Sequence, residues 1–390
     1  MYLRNSDIIK GYGISSGTAS QWSNNAKEGK NNLTLVEVEG KQYIQDTPAN
    51  HEELDRLYQL GRNKLKSDYK KEIIASKEFL SLFTDEQLIE FISDLGKYEI
   101  NGKFGYFGNG ANIWDKIYHE GNSRLQVLSL NVINKLMELL SVYLENKSYN
   151  VFDVGAGNGE PLFPFIHALN AKKQLNKYYS IDISKEMNEL AKQNIEKEIG
   201  DNYGGYLTTD IEATTFSTYF YKNTPDSTNN IICFFGRTIG NISDRVRIFD
   251  NIAKGMTAKD LFVFNFSLDT KQNNQDLNKM KSNIQNELHS SLPELLGIEI
   301  DQKTFYTDFN PELNFKFKTF KATKEYQINF PVFNHTKKVH IPINTEITVW
   351  RAYTLDQKEI IDELDKAGLE VLSLTKDKTA QTAMIICRLK

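Results

Sequence analysis

The sequence predicts an α/β fold that contains an open, mostly parallel sheet with helices on both faces, and three observations support this prediction. The apolar run Tyr149–Val154 leads directly into a glycine-rich segment at 155–159. A second apolar run ends in an acid, Asp182. Further β-branched and aromatic runs then alternate with helix-like segments as far as residue 267. Strands that alternate with helices favour a parallel sheet with right-handed crossovers.

The elements of this sheet are predicted from apolar runs and from helical periodicity. The predicted strands lie at 149–154, 179–183, 205–209, 230–235 and 260–267. The predicted helices between them lie at 162–169, 185–195 and 245–254. The end of the chain is predicted to return to the same sheet, through strands at 346–353, 371–374 and 382–389 and a helix at 356–367.

The chain is predicted to divide into a sheet domain, a second α+β domain and a separate amino-terminal module. The boundaries follow changes of periodicity along the chain. The predicted segments are the amino-terminal module at 1–66, the helical part of the second domain at 67–146, the sheet domain at 147–269, an insertion that belongs to the second domain at 270–345, and the carboxyl-terminal strands and helix of the sheet at 346–390.

Inside the insertion, residues 277–296 have a helical pattern and residues 314–330 have the pattern of a strand. Phenylalanines alternate with Lys316 and Lys318 in that strand. Because successive side chains of a strand point to opposite faces, we predict that these lysines lie on a solvated face.

The start of the chain has the element order of a small DNA-binding module. A short helix comes first, a second helix begins at Ser15 or Ser16 and runs to Lys27, and a hairpin turns at Glu39-Gly40. This order is typical of a winged helix-turn-helix, whose second helix enters the DNA major groove. Acids offset the lysines of this module, however, so the basic footprint of a DNA-binding surface is weak. The sequence leaves open a DNA-binding module and a partner-docking or structural appendage.

Length, charge and cysteine content restrict the class of protein. A chain of 390 residues is long enough for two or three domains. Its net charge of −4 gives no general attraction to nucleic acid or to an anionic membrane. No apolar run is long enough to span a bilayer and the first residues lack a secretory apolar core, so we expect a cytoplasmic protein without a membrane partner. Cys233 and Cys387 are predicted to be buried free thiols, and the scattered histidines predict no metal site.

The glycine-rich loop indicates which nucleotide-like ligand the sheet binds. Glycines let the backbone turn sharply and let a ligand approach the main chain. A dinucleotide fingerprint reads G-x-G-x-x-G/A and carries a pyrophosphate, whereas this loop reads G-x-G-x-G between Asp153 and Glu160. Two acids would repel a pyrophosphate but would favour the positive sulfonium and ammonium groups of S-adenosylmethionine. Asp182, at the end of the next strand, is placed to accept hydrogen bonds from the ribose hydroxyls.

Two further polar residues follow predicted strands. Asp210 follows the third strand, where it would either bond the adenine amino group or be an ordinary surface acid. Asn241, after the fourth strand, would either orient an amine or carboxylate through its amide or only cap the next helix. An acceptor for methyl transfer must be held in line with the methyl group. The chain has no Asn/Asp-Pro-Pro-aromatic tetrapeptide after the fourth strand, which disfavours methylation of nucleic-acid bases.

Taken together, three motifs resemble the histidine-specific methyltransferase family. They are Phe235-Gly-Arg-Thr-Ile-Gly-Asn-Ile242, Asp153-Val-Gly-Ala-Gly-Asn-Gly159 and Asp182-Ile-Ser184. Residues 103–117 are also similar to the family's Phe-Tyr-Asp-Asp-Arg-Gly-Ser segment, and the resemblance covers roughly residues 68–390. It implies a class I S-adenosylmethionine-dependent methyltransferase sheet, a second α+β substrate domain, and an acceptor that lies between them.

The resemblance also implies site residues. In the family, an Asn of the Thr-Ile-Gly-Asn loop and an upstream Tyr hold the amino-acid substrate and a Gly lines the same site, which correspond to Asn241, Tyr106 and Gly236. The sequence departs from the family at the positions that grip the histidine imidazole, which hold Val349 and Arg351 here. Arg351 would instead favour an acceptor with a carboxylate or phosphate, because its planar guanidinium binds such groups in a bidentate manner.

The predicted function is therefore S-adenosylmethionine-dependent N-methylation of an amino acid or related small amine other than histidine. A transcriptional regulator that binds S-adenosylmethionine, and a methyltransferase of a peptide or protein docked by residues 1–66, remain as alternatives. The predicted catalytic residues are Tyr106 and Asn241. The predicted cofactor-binding residues are Asp153, Gly155, Gly157, Asn158, Gly159, Asp182, Ile183, Asp210, Ile211, Phe235 and Gly236. The predicted substrate-binding residues are Tyr106, Gly236, Thr238, Asn241 and Arg351.

Overall fold

The computed structural model divides the chain into two compact units, Met1–Lys71 and Glu72–Lys390. It describes residues 1–120, 135–212, 217–225, 228–236, 238–270, 283–332, 334–377 and 381–390. The boundary predicted after residue 66 falls inside the helix Pro48–Asp68, so the observed boundary lies slightly later in the chain.

The first unit contains the predicted pair of helices and the predicted hairpin. Gly13, whose φ of 61° is left-handed, ends the helix Asn5–Tyr12, and the Ser15 side chain caps the helix Ser16–Lys27. The hairpin strands turn through Glu39 and Gly40 as predicted, and the long helix follows. The three strands, in the order β1-β3-β2, are β1 (Tyr2–Leu3), β2 (Leu35–Val38) and β3 (Lys41–Gln45).

The first unit has a small hydrophobic core of its own. Ala19 and Trp22 place one face of the second helix against Ile8 of the first helix, and Ile44 and Leu54 contribute from the hairpin and the long helix. The opposite, polar face of the second helix is therefore left at the surface of the unit.

The second unit is organised around a seven-stranded sheet in the order β15-β16-β9-β8-β5-β6-β7. Its strands are β5 (Tyr149–Val154), β6 (Leu175–Asp182), β7 (Tyr203–Thr208), β8 (Asn229–Phe234), β9 (Leu261–Ser267), β15 (Leu369–Asp377) and β16 (Thr382–Leu389). Strands β5 to β9 are parallel, and β16 pairs antiparallel with both β9 and β15. The chain runs outward from β5 through β6 and β7 and then crosses to β8, so the strand order reverses between β5 and β8. Ligands of such sheets bind at the carboxyl edge beside this reversal.

Helices cover both faces of the sheet, as the alternating pattern predicts. They are Phe163–Ala171, Lys185–Ile199, Ser217–Asn223, Arg245–Ala253 and Gln357–Lys366. Phe152 and Phe234 point into the core on one face of the sheet, and Val151, Tyr178 and Cys233 into the core on the other. Both cysteines are buried and free, as predicted.

A second, α+β part of the same unit contains two three-stranded sheets, in the orders β10-β11-β14 and β13-β12-β4. Its strands are β4 (Lys70–Ile74), β10 (Tyr306–Asn310), β11 (Phe315–Lys321), β12 (Glu325–Val332), β13 (His335–Ile341) and β14 (Glu346–Tyr353). Its helices include Lys77–Leu80, Asp85–Leu95, Gly110–Glu120 and Asn283–Leu296, with a 3-10 helix at Gly102–Tyr106. Residues 135–140 are also helical, and residues 121–134 of the predicted helical part at 67–146 lie outside the described residues.

One predicted sheet assignment is wrong. Strand β14 is not part of the seven-stranded sheet but pairs antiparallel with β11, where Arg351 lies opposite Phe317. Apolar patterning shows that a segment is a strand but does not select its partner. The insertion therefore contributes a sheet of its own and takes β14 into it.

The predicted solvated lysine face is also wrong. Lys318 is 2% exposed, and Lys316 is buried as well. The Lys318 ammonium donates a hydrogen bond of 2.9 Å to Asn286 Oδ1 on the helix Asn283–Leu296, which covers this face of β11. Burial lowers the pKa of Lys318 to about 8. The strand is thus buried on both faces, which its alternation of residues does not reveal.

Candidate active site

A cavity lies at the carboxyl edge of the large sheet, between the sheet and the 3-10 helix Gly102–Tyr106 of the second part. Residues from the glycine loop, from the ends of β6 and β7, and from the loop after β8 surround it. The described lining residues are Asn101, Lys103, Tyr106, Trp114, Gly155, Gly157, Asp182, Ile183, Met187, Asp210, Ile211, Glu212, Thr238, Asn241 and Ile242. The cavity thus combines nine of the predicted site residues.

The three glycines of the loop have positive φ angles of 67°, 56° and 78° at Gly155, Gly157 and Gly159. A Cβ atom at Gly157 would lie 2.8 Å from Cη2 of Trp114, so the indole contacts the backbone of the loop directly. A Cβ atom at Gly159 would lie 2.9 Å from Cγ1 of Ile195 on the helix Lys185–Ile199. Gly157 therefore allows an aromatic wall beside the cavity, whereas Gly159 allows the loop to pack on the fold beneath it.

Asp182 is held in place at the end of β6 and is 8% exposed. Its carboxylate accepts backbone hydrogen bonds of 3.1 Å from Gly157 and of 3.1 Å from Ser184. Burial raises the pKa of Asp182 to about 6, although these N–H groups favour its charged form. A carboxylate can accept about four hydrogen bonds, so Asp182 keeps acceptor capacity for the hydroxyls of a ribose.

Asp153 lies beneath the loop. Its carboxyl group accepts a hydrogen bond of 2.8 Å from the Tyr178 hydroxyl. Burial, with a smaller contribution from the charge of Asp182, raises the pKa of Asp153 to about 8, while the Tyr178 hydrogen bond opposes the shift. Among the described residues, Asp153 is outside the cavity lining, so its predicted contact with the cofactor remains a prediction.

Asp210 follows β7 and is 5% exposed, so its alternative interpretation as a surface acid is wrong. One carboxylate oxygen accepts a hydrogen bond of 2.7 Å from Lys103 Nζ, and the other accepts the N–H of Glu212 at 2.9 Å. Glu212 also lines the cavity, and burial raises its pKa to about 7. This end of the cavity presents hydrogen-bond acceptors beside one ammonium group.

Tyr106 and Asn241 meet at the same cavity although 135 positions separate them in the chain (241 − 106). Burial, with a contribution from the charge of Asp182, raises the pKa of Tyr106 to about 12. Its phenol therefore stays protonated and can donate a hydrogen bond. Asp244, not Asn241, caps the following helix, because the Asp244 side chain accepts the N–H of Arg247. The amide of Asn241, in the 3-10 helix Thr238–Asn241, is thus not used as that cap.

Several predicted site residues lie outside the lining formed by the described residues. Arg351 donates a hydrogen bond of 2.6 Å to Glu99, and Val349 is buried in the core of the second part. Asn158 is buried and donates a hydrogen bond of 2.7 Å to Asp115. Phe235 is buried, while Gly236 is exposed with a φ of 79°. Their predicted contacts with cofactor or substrate stay predictions.

Sequence reasoning missed six lining residues: Asn101, Lys103, Trp114, Met187, Glu212 and Ile242. Lys103 and Trp114 belong to the segment 103–117, which the family resemblance had already marked. Lys103 directly follows Gly102, and Trp114 is an aromatic residue four positions after Gly110, a signal that could have been used. Lys103 and Trp114 are far from the strands of the large sheet in the sequence, so their position in the chain did not indicate that they line a cavity at the edge of that sheet.

No group of three or more His, Cys, Asp and Glu residues that could hold a metal ion occurs among the described residues. Within the same residues, no helix is both long and apolar enough to cross a membrane.

Residues 85–389 of the chain match the family described as histidine-specific methyltransferase, SAM-dependent. No sequence among curated proteins matches the chain.

Solved structures of several methyltransferases align with much of the chain at low identity. An S-adenosylmethionine-dependent methyltransferase from Clostridium acetobutylicum is 14% identical, with a TM-score of 0.39 over 72% of this chain and 97% of that chain. Magnesium protoporphyrin IX methyltransferase from Synechocystis is 12% identical, with a TM-score of 0.41 over 74% and 98%. The CcbJ methyltransferase from Streptomyces caelestis is 10% identical, with a TM-score of 0.41 over 70% and 95%.

Proposed function

Because the chain belongs to the histidine-specific, SAM-dependent methyltransferase family, we propose that it methylates the amino nitrogen of an amino acid or related small amine. We further propose that the acceptor is not histidine. The observation that carries this proposal is that Tyr106 and Asn241 line one cavity together with the glycine loop and Asp182.

S-adenosylmethionine supplies an electrophilic methyl group when it is bound. The residues of the cavity fit this molecule: the glycines leave room at the main chain, Asp182 has free acceptor capacity for a ribose, and Asp210 presents acceptors for an amino group. Among the described lining residues, Asp182, Asp210 and Glu212 are acids and Lys103 is the one cation. This balance of charge favours a positive sulfonium over a phosphate.

Tyr106 and Asn241 are proposed to orient the acceptor amine towards the methyl group. Correct orientation of the two reacting atoms can lower the barrier of such an in-line transfer by about 7–11 kcal/mol. An ammonium group has no lone pair, so the amine must lose a proton before it attacks. The Tyr106 phenol is protonated at neutral pH and is therefore assigned a hydrogen-bonding role, and water is left to take the proton.

The surroundings of β14 support an acceptor other than histidine. Val349 contributes its side chain to a hydrophobic core, and the guanidinium of Arg351 is already bonded to Glu99. Neither residue offers a carboxylate or hydroxyl that would hold an imidazole. The pairing with Glu99 also weakens the prediction that Arg351 binds an acceptor carboxylate.

The proposal is tested by screening amino acids and small amines for release of S-adenosylhomocysteine. With an acceptor from this screen, Asn241→Ala should lower kcat/KM by roughly 10–100-fold, since one lost hydrogen bond to a buried group costs about 1–3 kcal/mol. Its affinity for S-adenosylhomocysteine should stay within about threefold of the wild-type value. Asn112→Ala, at an exposed amide, is the matched control and should behave as wild type. Equal turnover by Asn241→Ala and wild type would exclude the assigned role.

A second function is favoured by the amino-terminal unit. The helix Ser16–Lys27 contains no Asp or Glu, and its exposed face presents Gln21, Asn24 and Lys27. Side chains of these types on the second helix of a helix-turn-helix contact phosphates and base edges. We therefore propose that this unit binds duplex DNA.

This second proposal is tested by mobility shifts of duplex DNA with the full chain over a range of salt concentrations. DNA binding should weaken steeply as the salt concentration rises. The double variant Gln21→Ala and Asn24→Ala should bind duplex DNA roughly tenfold more weakly, or worse. Glu52→Gln, on the exposed side of the long helix, is the control. If no salt-dependent shift occurs, and removal of residues 1–69, which leaves β4 intact, lowers methylation of a peptide but not of a small amine, the unit is a docking module instead.

A further inference from the structure

Lys103 is placed at the end of the cavity where adenine is proposed to lie. Its ammonium group donates hydrogen bonds of 2.7 Å to Asp210 and of 2.7–2.9 Å to Glu90. The side chain of Lys103 is 12% exposed. Lys103 therefore carries a charge in a nearly buried position, where only close pairing with acids makes it tolerable.

The local structure fixes this ammonium group. Lys103 lies in the 3-10 helix Gly102–Tyr106, and Asn101 caps that helix by accepting the N–H of Lys103 at 3.1 Å. Residues three apart eclipse each other in a 3-10 helix, so Lys103 and Tyr106 face the same side, and both line the cavity. Burial lowers the pKa of Lys103, but the Asp210 and Glu90 carboxylates more than compensate, and its pKa is raised.

The Asp210 carboxylate is fixed in turn. One carboxylate oxygen accepts a hydrogen bond from Lys103, and the other accepts one from the N–H of Glu212. Together these two hydrogen bonds fix the plane of the carboxylate. Each oxygen can accept a second hydrogen bond. The carboxylate can therefore accept from a ligand without giving up either protein bond.

We propose that Lys103 makes this end of the cavity selective for a 6-aminopurine by holding Asp210 as a fixed, charged acceptor. The 6-amino group of adenine donates a hydrogen bond to such an acceptor. The 6-keto group of hypoxanthine presents a lone pair to the same carboxylate and is repelled. Lys103 acts through Asp210 and is a positioning residue, and the inference rests on the placement of adenine beside Asp210 proposed above.

Loss of the ammonium group should remove the selectivity and not merely weaken binding. A buried carboxyl group without a counter-charge favours its neutral form. A neutral carboxyl group carries an O–H and can donate to a keto oxygen as well as accept from an amino group. The site would then tolerate both bases, whereas a general loosening of the fold would weaken both ligands equally.

The test is a calorimetric titration of the full chain with S-adenosylhomocysteine and with S-inosylhomocysteine, two ligands that differ at position 6 of the base. The wild type should prefer S-adenosylhomocysteine by roughly 100-fold or more, since a site built around a hydrogen bond strongly rejects an analogue that lacks it. Lys103→Met should reduce this preference to below about tenfold. Lys103→Arg keeps the positive charge and should retain the preference of the wild type for S-adenosylhomocysteine. Glu90 contacts Lys103 but is not among the described lining residues of the cavity, so Glu90→Gln should keep the preference for S-adenosylhomocysteine.

If Lys103→Met does not fold, Asp210→Asn provides a second readout. Its amide can donate a hydrogen bond to the keto oxygen of hypoxanthine. The preference of this variant for S-adenosylhomocysteine should therefore also fall below about tenfold. The proposal is overturned if the wild type does not discriminate, if Lys103→Met weakens both ligands by the same factor, or if Asp210→Asn keeps the full preference. Because no acceptor amine is used, these results are independent of the proposed N-methylation. Failure of the wild type to bind either ligand would instead reject the proposed position of the cofactor.

Discussion

The contact between the glycine loop and Trp114 leads to a quantitative prediction for Gly157→Ala. Gly157 has a φ of 56°, and its new methyl group would lie 2.8 Å from Cη2 and 3.1 Å from Cζ3 of Trp114. The indole is itself stacked on Tyr118, with ring centroids 5.7 Å apart. The substitution therefore introduces both backbone strain and a side-chain clash.

The two penalties can be separated. A residue with a Cβ atom in left-handed conformation costs about 1–2 kcal/mol relative to Gly, and overpacking costs about 1–3 kcal/mol. Gly368, with a φ of 75°, has no neighbouring atom within 4 Å of an added Cβ, so Gly368→Ala carries only the first penalty. The combined loss of unfolding and ligand-binding free energy in Gly157→Ala should exceed the loss in Gly368→Ala by about 1–3 kcal/mol.

The measurements are urea unfolding and calorimetric titration with S-adenosylhomocysteine. If Trp114 stays in place, the clash lowers the free energy of unfolding. If Trp114 moves into the cavity, the clash lowers the affinity for S-adenosylhomocysteine instead. The sum of the two free-energy losses is therefore compared between variants. Adding Trp114→Phe to Gly157→Ala withdraws the clashing ring atoms and should recover about 1 kcal/mol or more of that sum. Equal losses in Gly157→Ala and Gly368→Ala, or no recovery with Trp114→Phe, would refute the reasoning.

Three further outcomes are expected from the site and the fold. Because burial raises the pKa of Asp182 to about 6, affinity for S-adenosylhomocysteine should fall as pH drops below about 6 and its carboxylate becomes protonated; calorimetry with Asp182→Asn should give weaker and nearly pH-independent binding. Tyr106→Phe should lower turnover of an identified amine by roughly 10–100-fold at nearly unchanged S-adenosylhomocysteine affinity, and an equal loss in affinity would contradict its assignment to the acceptor. Arg245, which is buried and donates a hydrogen bond of 2.6 Å to Glu363, holds the helix Arg245–Ala253 against the last helix. Arg245→Met should cost about 3–5 kcal/mol in urea unfolding, and adding Glu363→Gln should recover part of that loss; a cost below about 1 kcal/mol would show that the pair is not important.

The sequence predicted the sheet and its cofactor well, because the relevant signals are local. The apolar run of β5, the loop at 155–159 and Asp182 lie within one strand-helix-strand unit, where spacing along the chain fixes spacing in the fold. The family match confirms the class I S-adenosylmethionine-dependent methyltransferase fold and the dependence on that cofactor.

Of the two residues proposed to hold the acceptor, Asn241 was indicated by its position after the fourth predicted strand, whereas Tyr106 was predicted only through the family resemblance. Tyr106 and Asn241 come from different parts of the chain, and nothing in their local patterns places them at one cavity. The burial of Lys318 and the pairing of β14 with β11 were predicted wrongly for a related reason. A residue pattern reports which way side chains alternate, but the element that covers each face is chosen by the packing of distant segments.

The sequence by itself determined that a glycine loop and Asp182, the acid proposed to bind a ribose, stand at the carboxyl edge of a parallel sheet. Tertiary structure decided that Trp114 lies on the loop and that Lys103 meets Asp210, 107 residues away in the chain. The physical reason is that hydrogen bonds within a turn or a strand-helix unit depend on short stretches of backbone. Ion pairs and ring contacts between domains depend on how whole elements pack, and that packing brings together residues that no spacing rule connects.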